Sequence, residues 1–165
     1  MVELQSSYKI KNLRSDRGGE YTSTEFLQFY AKIGLERQLT VAYSPQQNGV
    51  AERKSRTIVE MSKTIMKEKK LPYKFWGEAV NTAVYIQNRC PPKALDDVTH
   101  FEAFNERKPG VKNLRVFGSI CFYHVPGQLR SKLEDVAEKC IFVGYGKCEK
   151  VYRVYNLQTN KVTTS

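Results

Sequence analysis

The sequence has no apolar run of the roughly 18 to 20 residues that a membrane-spanning helix needs. Its first residues, MVELQSSYKIK, also lack the apolar core of a secretory signal peptide. It contains four Cys and two His, and no two Cys form a C-x-x-C pair, so the spacing typical of a zinc site is missing. These absences predict a soluble, intracellular protein whose cysteines are reduced structural thiols.

Positive charge, in contrast, is abundant. The chain carries 27 Lys and Arg residues against 17 Asp and Glu residues, a net charge of +10. Residues 45–93 alone hold ten basic and four acidic residues, an excess of six. This balance favours a polyanionic partner such as nucleic acid. Hydrophobic residues make up 41% of the chain, enough to form a core, which argues against disorder.

The spacing of apolar residues in the first third predicts the order strand, helix, strand. YKIKNLRSD alternates like a short strand, and STEFLQFYAKIG has apolar residues at helical intervals with Gly34 as a stop. ERQLTVAYSP is typical of a strand that ends at Pro45. This order indicates a layered α/β domain.

Further helices and a set of short strands are predicted in the remainder. One long helix extends from Val50 to about Lys69, a second begins after Pro72, and a short third lies around HFEAFNERKP. KEKK at 67–70 is interpreted as the end of the long helix and not as a localisation signal. The pattern then changes to strands in LRVFGSICFYHV, KCIFVGYG, KVYRVYNL and KVTTS. We therefore predict two domains, residues 1–109 and an all-β unit at 110–165.

Two acidic residues lie where a metal-dependent site can form. Asp16 follows the first predicted strand, and Glu52 begins the long helix, with 35 residues between positions 16 and 52. Two such carboxylates can meet across a cleft, where oxygen ligands suit a hard ion such as Mg²⁺ and phosphodiester chemistry. The alternative is a solvated helix face with an ordinary Glu52–Arg56 ion pair.

Basic residues follow Glu52 along the same predicted helix. Arg56, Lys63 and Lys67 share an arc with Glu52 at about 100° per residue, opposite the apolar arc. Such a face can hold phosphates electrostatically while the carboxylate holds a metal ion. The charge pattern therefore predicts a DNA-binding surface on this helix.

Several long segments resemble one family. LRSDRGGEYTSTEF, YSPQQNGVAERKSRTIVEMSKTIM and LPYKFWGEAVNTAVYIQNRCP are similar to the copia-type long-terminal-repeat retrotransposon integrase, a DDE polynucleotidyl transferase with an RNase H-like core. LRVFGSICFYHVP, KCIFVGYG and YRVYNLQTNKV resemble the Src-homology-3-like barrel that follows this core. The resemblance implies an α/β fold: a partial RNase H-like integrase core followed by a small all-β, Src-homology-3-like barrel.

The resemblance also implies roles for individual residues. Asp16 matches the second carboxylate of the DDE triad and Glu52 the third, and in the family these acids bind Mg²⁺ or Mn²⁺ and promote attack of a DNA 3′-hydroxyl on a target phosphodiester. On the loop before Glu52, amides either contact DNA or merely shape a turn. The candidate DNA-binding residues are Gln47 and Asn48 on this loop, Arg53 and Arg56 by the resemblance, and Lys63 and Lys67 by the charge pattern.

One part of the family pattern has no match in these residues. The first triad aspartate belongs on a strand well upstream of the second, yet the sole acid among the 15 residues before Asp16 is Glu3. We therefore expect weak metal binding, exposed strand edges and apolar helix faces in the α/β part. We also expect no strand-transfer activity from this chain alone.

Two functional hypotheses follow. In the first, the chain is a fragment of an integrase that acts on element ends and target DNA in the nucleus, as a homo-oligomer or with an upstream integrase half. In the second, it is a non-catalytic DNA-binding or assembly module, a decayed or reused transposon fragment. Asp16→Asn and Glu52→Gln abolish function under the first hypothesis and leave DNA affinity unchanged or slightly raised under the second.

Overall fold

The computed structural model describes residues 9–15, 18–41, 49–92, 95–131, 135–146 and 150–165. The chain divides into two compact units, Met1–Thr57 and Ile58–Ser165, and each is described by itself. The predicted boundary near residue 110 marks the start of the all-β segment and is a different division of the chain. It stays a prediction.

The first unit is built on two parallel strands. Strand β1 (Asn12–Ser15) pairs with β2 (Glu36–Leu39), and helices α1 (Gly19–Thr22) and α2 (Thr24–Ile33) connect them. Ser23 caps α2, since its side-chain oxygen accepts a hydrogen bond from the N–H of Phe26 at 3.3 Å. Gly34 ends the helix in the left-handed conformation with φ +68°. The predicted order of strand, helix and strand is confirmed.

Helix α2 buries little of its apolar surface. Tyr30 is buried, and the ring of Phe26 meets it edge to face with centroids 4.6 Å apart. Leu27, Phe29 and Ile33 stay between 46% and 55% exposed. The expected apolar helix face is therefore open to solvent in this unit.

Helix α3 spans Gly49–Glu68, within a residue of the predicted bounds. Beyond its last turn, the N–H of Leu71 donates to the carbonyl of Met66 at 3.0 Å, and the N–H of Lys70 donates to the carbonyl of Lys67 at 3.1 Å. Lys70 has φ +51°. This pair of bonds around a left-handed residue is a Schellman cap, which satisfies carbonyls at the helix end and turns the chain sharply. KEKK is therefore a helix end, as predicted.

The second unit combines helices with an antiparallel sheet. A short 3₁₀ turn (Tyr73–Phe75) leads into α4 (Trp76–Gln87), and α5 (His100–Asn105) follows. The sheet has the order β3-β4-β5-β6, formed by Ile120–His124, Ala137–Tyr145, Tyr152–Asn156 and Val162–Thr164. Helix α4 packs against β4. The buried core of this unit consists of Met66, Phe75, Ala79, Phe117, Val143 and Tyr155.

An ion pair joins α4 to the sheet within the second unit. The Nε and Nη2 atoms of Arg153 donate to the two carboxylate oxygens of Glu78 at 2.8 and 2.6 Å. These bonds raise the pKa of Arg153 above its ordinary value. Because the pair is bidentate and partly buried, it fixes the rotation of α4 over β5.

A close backbone approach joins the turn after α3 to the start of the sheet. Gly118 has φ +78°, and its N–H donates to the carbonyl of Phe142 at 2.8 Å. A Cβ at this position would lie 2.8 Å from Leu71 Cδ1 and 2.9 Å from Lys69 Cβ. Only glycine therefore fits here without strain.

Candidate nucleic-acid interface

Glu52 lies in the first turn of α3 and is exposed to solvent. Its position at a helix N-terminus favours a carboxylate, because the helix dipole presents partial positive charge there. Among the described residues, Glu52 makes no ion pair with Arg56, although both belong to the same helix. The Glu52 carboxylate is therefore open to a ligand from solvent.

The other residues predicted near Glu52 lie outside the described part of the chain. Asp16 follows β1 directly in sequence, and the loop with Gln47 and Asn48 precedes α3. These three residues lie outside the described ranges, so their predicted roles stay predictions.

The basic residues predicted on the long helix are exposed. Arg53 and Arg56 are exposed in the first unit, and Lys63 and Lys67 are exposed in the second. Lys54, the neighbour of Arg53, is half-buried. The four cationic side chains proposed on α3 are therefore all exposed, and their role in DNA binding stays a prediction.

Two hydroxyl side chains of α3 donate hydrogen bonds within the helix. Thr57 donates to the carbonyl of Arg53 at 2.9 Å, and Ser62 donates to that of Ile58 at 2.6 Å. Such bonds between positions i and i−4 satisfy the hydroxyls without a partner from solvent. The hydroxyl hydrogens of Thr57 and Ser62 are therefore used within the helix, and the exposed charged side chains are the stronger groups for a ligand.

The described donor set does not make up a metal site. Among the described residues, no three His, Cys, Asp or Glu side chains lie close enough together to hold an ion. Glu52 alone supplies one carboxylate, whereas a hard divalent ion takes several oxygen ligands. A metal role for Glu52 therefore depends on Asp16 and on further ligands.

The structure also reveals a groove that sequence reasoning missed. Lysines and apolar side chains from the end of α3 and the start of α4 enclose a volume of about 720 Å³. Its lining consists of Lys63, Met66, Lys67, Lys70, Leu71, Tyr73 and Trp76. The signal in the sequence is KEKKLPYKFW, where cationic and aromatic residues interleave.

Within the described parts of the chain, no helix has the length and apolar character to cross a bilayer.

Comparison with known proteins identifies relatives of the whole chain. Residues 119–165 match the family described as retroviral polymerase SH3-like domain. Over all 165 residues the chain is 44% identical to the retrovirus-related Pol polyprotein from transposon TNT 1-94 of Nicotiana tabacum. It is 32% identical, again over 165 residues, to that from transposon RE2 of Arabidopsis thaliana. The chain spans 12% and 11% of the length of these two relatives.

A solved structure supports the fold. The cryo-EM structure of the simian T-cell lymphotropic virus intasome in complex with PP2A regulatory subunit B56 gamma is similar, with a TM-score of 0.50 and 14% sequence identity. The match covers 93% of this chain and 54% of that chain. At this identity the likeness concerns fold alone.

The predicted fold class, an integrase-like α/β part followed by a small Src-homology-3-like β part, is confirmed by this likeness and by the SH3-like match. The chain is homologous over its whole length to the copia-type retrovirus-related Pol polyproteins.

Proposed function

We propose that the chain is part of a retrotransposon integrase that holds DNA along α3 and contributes Asp16 and Glu52 as catalytic acids. In the complete protein this integrase joins the 3′ ends of element DNA to target DNA by phosphodiester transfer. The observation that carries the proposal is the exposed Glu52 in the first turn of a helix rich in exposed cations, in a chain homologous to Pol polyproteins. Because it acts on target DNA, the complete integrase works in the nucleus.

The cationic side chains have an electrostatic role. Arg53, Arg56, Lys63 and Lys67 bind phosphates of the DNA backbone, and they do so without reading sequence. Guanidinium groups donate in a planar fork that matches two phosphate oxygens, which favours Arg53 and Arg56 for positioning. Gln47 and Asn48 donate from their amides to nearby phosphates or bases.

The two acids hold the reaction centre. The carboxylates of Asp16 and Glu52 would provide oxygen ligands for Mg²⁺ or Mn²⁺, and such an ion would supply activation of the attacking hydroxyl and stabilisation of the leaving oxygen. Glu52 suits this role because its carboxylate is exposed and is not neutralised by Arg56. An integrase half encoded upstream or supplied by another chain would provide the remaining ligand.

DNA binding is tested by fluorescence anisotropy with a labelled duplex over a range of salt concentrations. We expect the logarithm of the affinity to fall linearly with the logarithm of salt. Replacing Arg53, Arg56, Lys63 and Lys67 by Ala reduces that slope by about 0.9 for each phosphate that is no longer neutralised. Lys32→Ala, at an exposed lysine of α2, is the matched control and leaves the slope unchanged. A flat salt response of the unaltered chain contradicts the proposal.

Catalysis is tested by oligonucleotide joining in Mn²⁺. The chain alone should give no joined product, and a product that disappears in Glu52→Gln would overturn this expectation. In the complete integrase, Asp16→Asn and Glu52→Gln should each abolish joining while DNA affinity is kept or slightly raised, because a negative charge is removed. Function that survives both substitutions favours a non-catalytic DNA-binding or assembly module.

A further inference from the structure

The groove at the junction of α3 and α4 has a composition unlike the rest of the helix surface. Of the described residues that line it, three are lysines, four are apolar or aromatic, and none is acidic. Lys63 and Lys67 lie four residues apart on α3, and Lys70 follows in the capping turn. The neighbouring acid, Glu68, faces Lys69 at 3.7 Å and not a lysine of the groove. The groove therefore presents uncompensated positive charge beside an apolar floor.

The aromatic residues of the groove differ in how they are held. Trp76 is half-buried and packs against the core of the second unit, so its ring is fixed. Tyr73 is 89% exposed, and its ring stands in water at the edge of the groove. Leaving a large ring this exposed has a hydration cost that a planar ligand stacked on it would relieve.

The Schellman cap after α3 determines this arrangement. The left-handed Lys70 reverses the chain, so that Leu71 returns to Met66 and the 3₁₀ turn carries Tyr73 and Trp76 beside Lys67. The turn also lies so close to Gly118 that no Cβ would fit between that residue and Lys69 and Leu71. The groove is thus a supported feature of the fold.

We propose that this groove binds unpaired nucleotides of a nucleic-acid strand, with a base stacked on Tyr73 and the phosphates held by Lys63, Lys67 and Lys70. Charge complementarity selects a polyanion, and the open aromatic ring selects a ligand with flat apolar faces. A branched aliphatic side chain of a protein partner needs enclosure on several sides, which an exposed ring at a rim does not give. This inference rests on the proposed function, and it assigns to that function a site for single-stranded DNA beside the duplex-binding helix.

Trp76 is the single Trp of the chain and lines the groove, so its fluorescence reports occupancy directly. The full chain is titrated with a single-stranded oligothymidylate and, separately, with a blunt duplex of equal length. We expect the single strand to quench Trp76 and the duplex to bind without comparable quenching. Tyr73→Ala should weaken single-strand binding about 5- to 100-fold and leave duplex binding unchanged.

Matched variants separate stacking from folding. Tyr73→Phe keeps the ring and should restore affinity, and Phe122→Ala removes an aromatic ring that is 71% exposed on β3, outside the groove, and should have no effect. Lys70→Gln should reduce the salt slope of single-strand binding by about 0.7.

Each other outcome overturns the inference in a distinguishable way. If single strand and duplex bind equally and Tyr73→Ala changes neither affinity, the groove is not a nucleotide site although the proposed DNA binding stands. If neither nucleic acid binds, the proposed function fails together with the inference. If an acidic peptide quenches Trp76 and the oligothymidylate does not, the groove is a protein-docking site.

Discussion

Replacing Gly118 by Ala should destabilise the second unit, because this glycine combines a left-handed backbone with a close contact. A left-handed conformation costs an L-residue about 1–2 kcal/mol. The added methyl group would also lie under 3 Å from Leu71 Cδ1 and from Lys69 Cβ and Cγ. Leu71 Cδ1 is the far end of a flexible side chain, whereas Lys69 Cβ is fixed to the backbone, so the turn itself must shift.

The expected decrease in the free energy of unfolding is about 2–4 kcal/mol. It is the sum of the backbone term and an overpacking term of about 1–3 kcal/mol, reduced because Leu71 can move. Urea unfolding followed by Trp76 fluorescence measures it, because Trp76 lies in the second unit and reports that unit. With a urea dependence of about 1–3 kcal/mol per molar, the midpoint should fall by about 1–2 M.

The chain offers the same substitution with the opposite expected sign. Gly77 is exposed in the first turn of α4, and nothing lies within 4 Å of a Cβ built there. Gly77→Ala should therefore raise the free energy of unfolding by about 0.5–1 kcal/mol, because Ala loses less backbone entropy in a helix. If Gly118→Ala shifts the midpoint no further than Gly77→Ala does, the close contact between the turn and the sheet does not exist as described.

Two further substitutions or treatments test other contacts of the second unit. Glu78→Gln should lower the free energy of unfolding by about 1–2 kcal/mol, because it leaves the Arg153 charge unpaired. The double variant Glu78→Gln, Arg153→Met should lose less stability than the two single variants added together, since no charge is then left unpaired. Strictly additive losses in urea unfolding would show that Glu78 and Arg153 do not interact. Burial raises the pKa of the Cys121 and Cys140 thiols, so fewer thiolates form at a given pH. Iodoacetamide should therefore modify both more slowly than exposed Cys90, with rates that rise with pH, and equal rates by peptide mass spectrometry would refute this.

Local signals in the sequence predicted the elements well. The long helix was predicted from Val50 to about Lys69 and spans Gly49–Glu68, because an apolar arc at helical period needs no distant partner to be recognised. Gly34 stops α2 as predicted, since its left-handed conformation is a local property of glycine. Three of the four strands of the sheet fall within the predicted segments, and β4 (Ala137–Tyr145) begins two residues before KCIFVGYG.

Part of the candidate site could be predicted from local sequence signals, and part depends on contacts between distant residues. The exposure of Arg56, Lys63 and Lys67 followed from charge and helical period alone, whereas Arg53 was selected by the family resemblance. The role of Glu52 depends on which groups reach its carboxylate, and Asp16 lies outside the described residues. The spacing of Asp16 and Glu52 in the sequence cannot decide whether their carboxylates lie close together, because that distance is set by how strands and loops pack.

By itself, the sequence determined the class of the protein, the positions of its helices and strands, and the cationic face of α3, because each is encoded in periodicity, caps and local charge. Only the tertiary structure decided which distant residues meet. Glu78 bonds Arg153 across 75 positions, and Gly118 lies where an added Cβ would clash with Lys69 and Leu71. These contacts depend on how the sheet packs on the helices, and they hold in place the turn that forms the basic and aromatic groove.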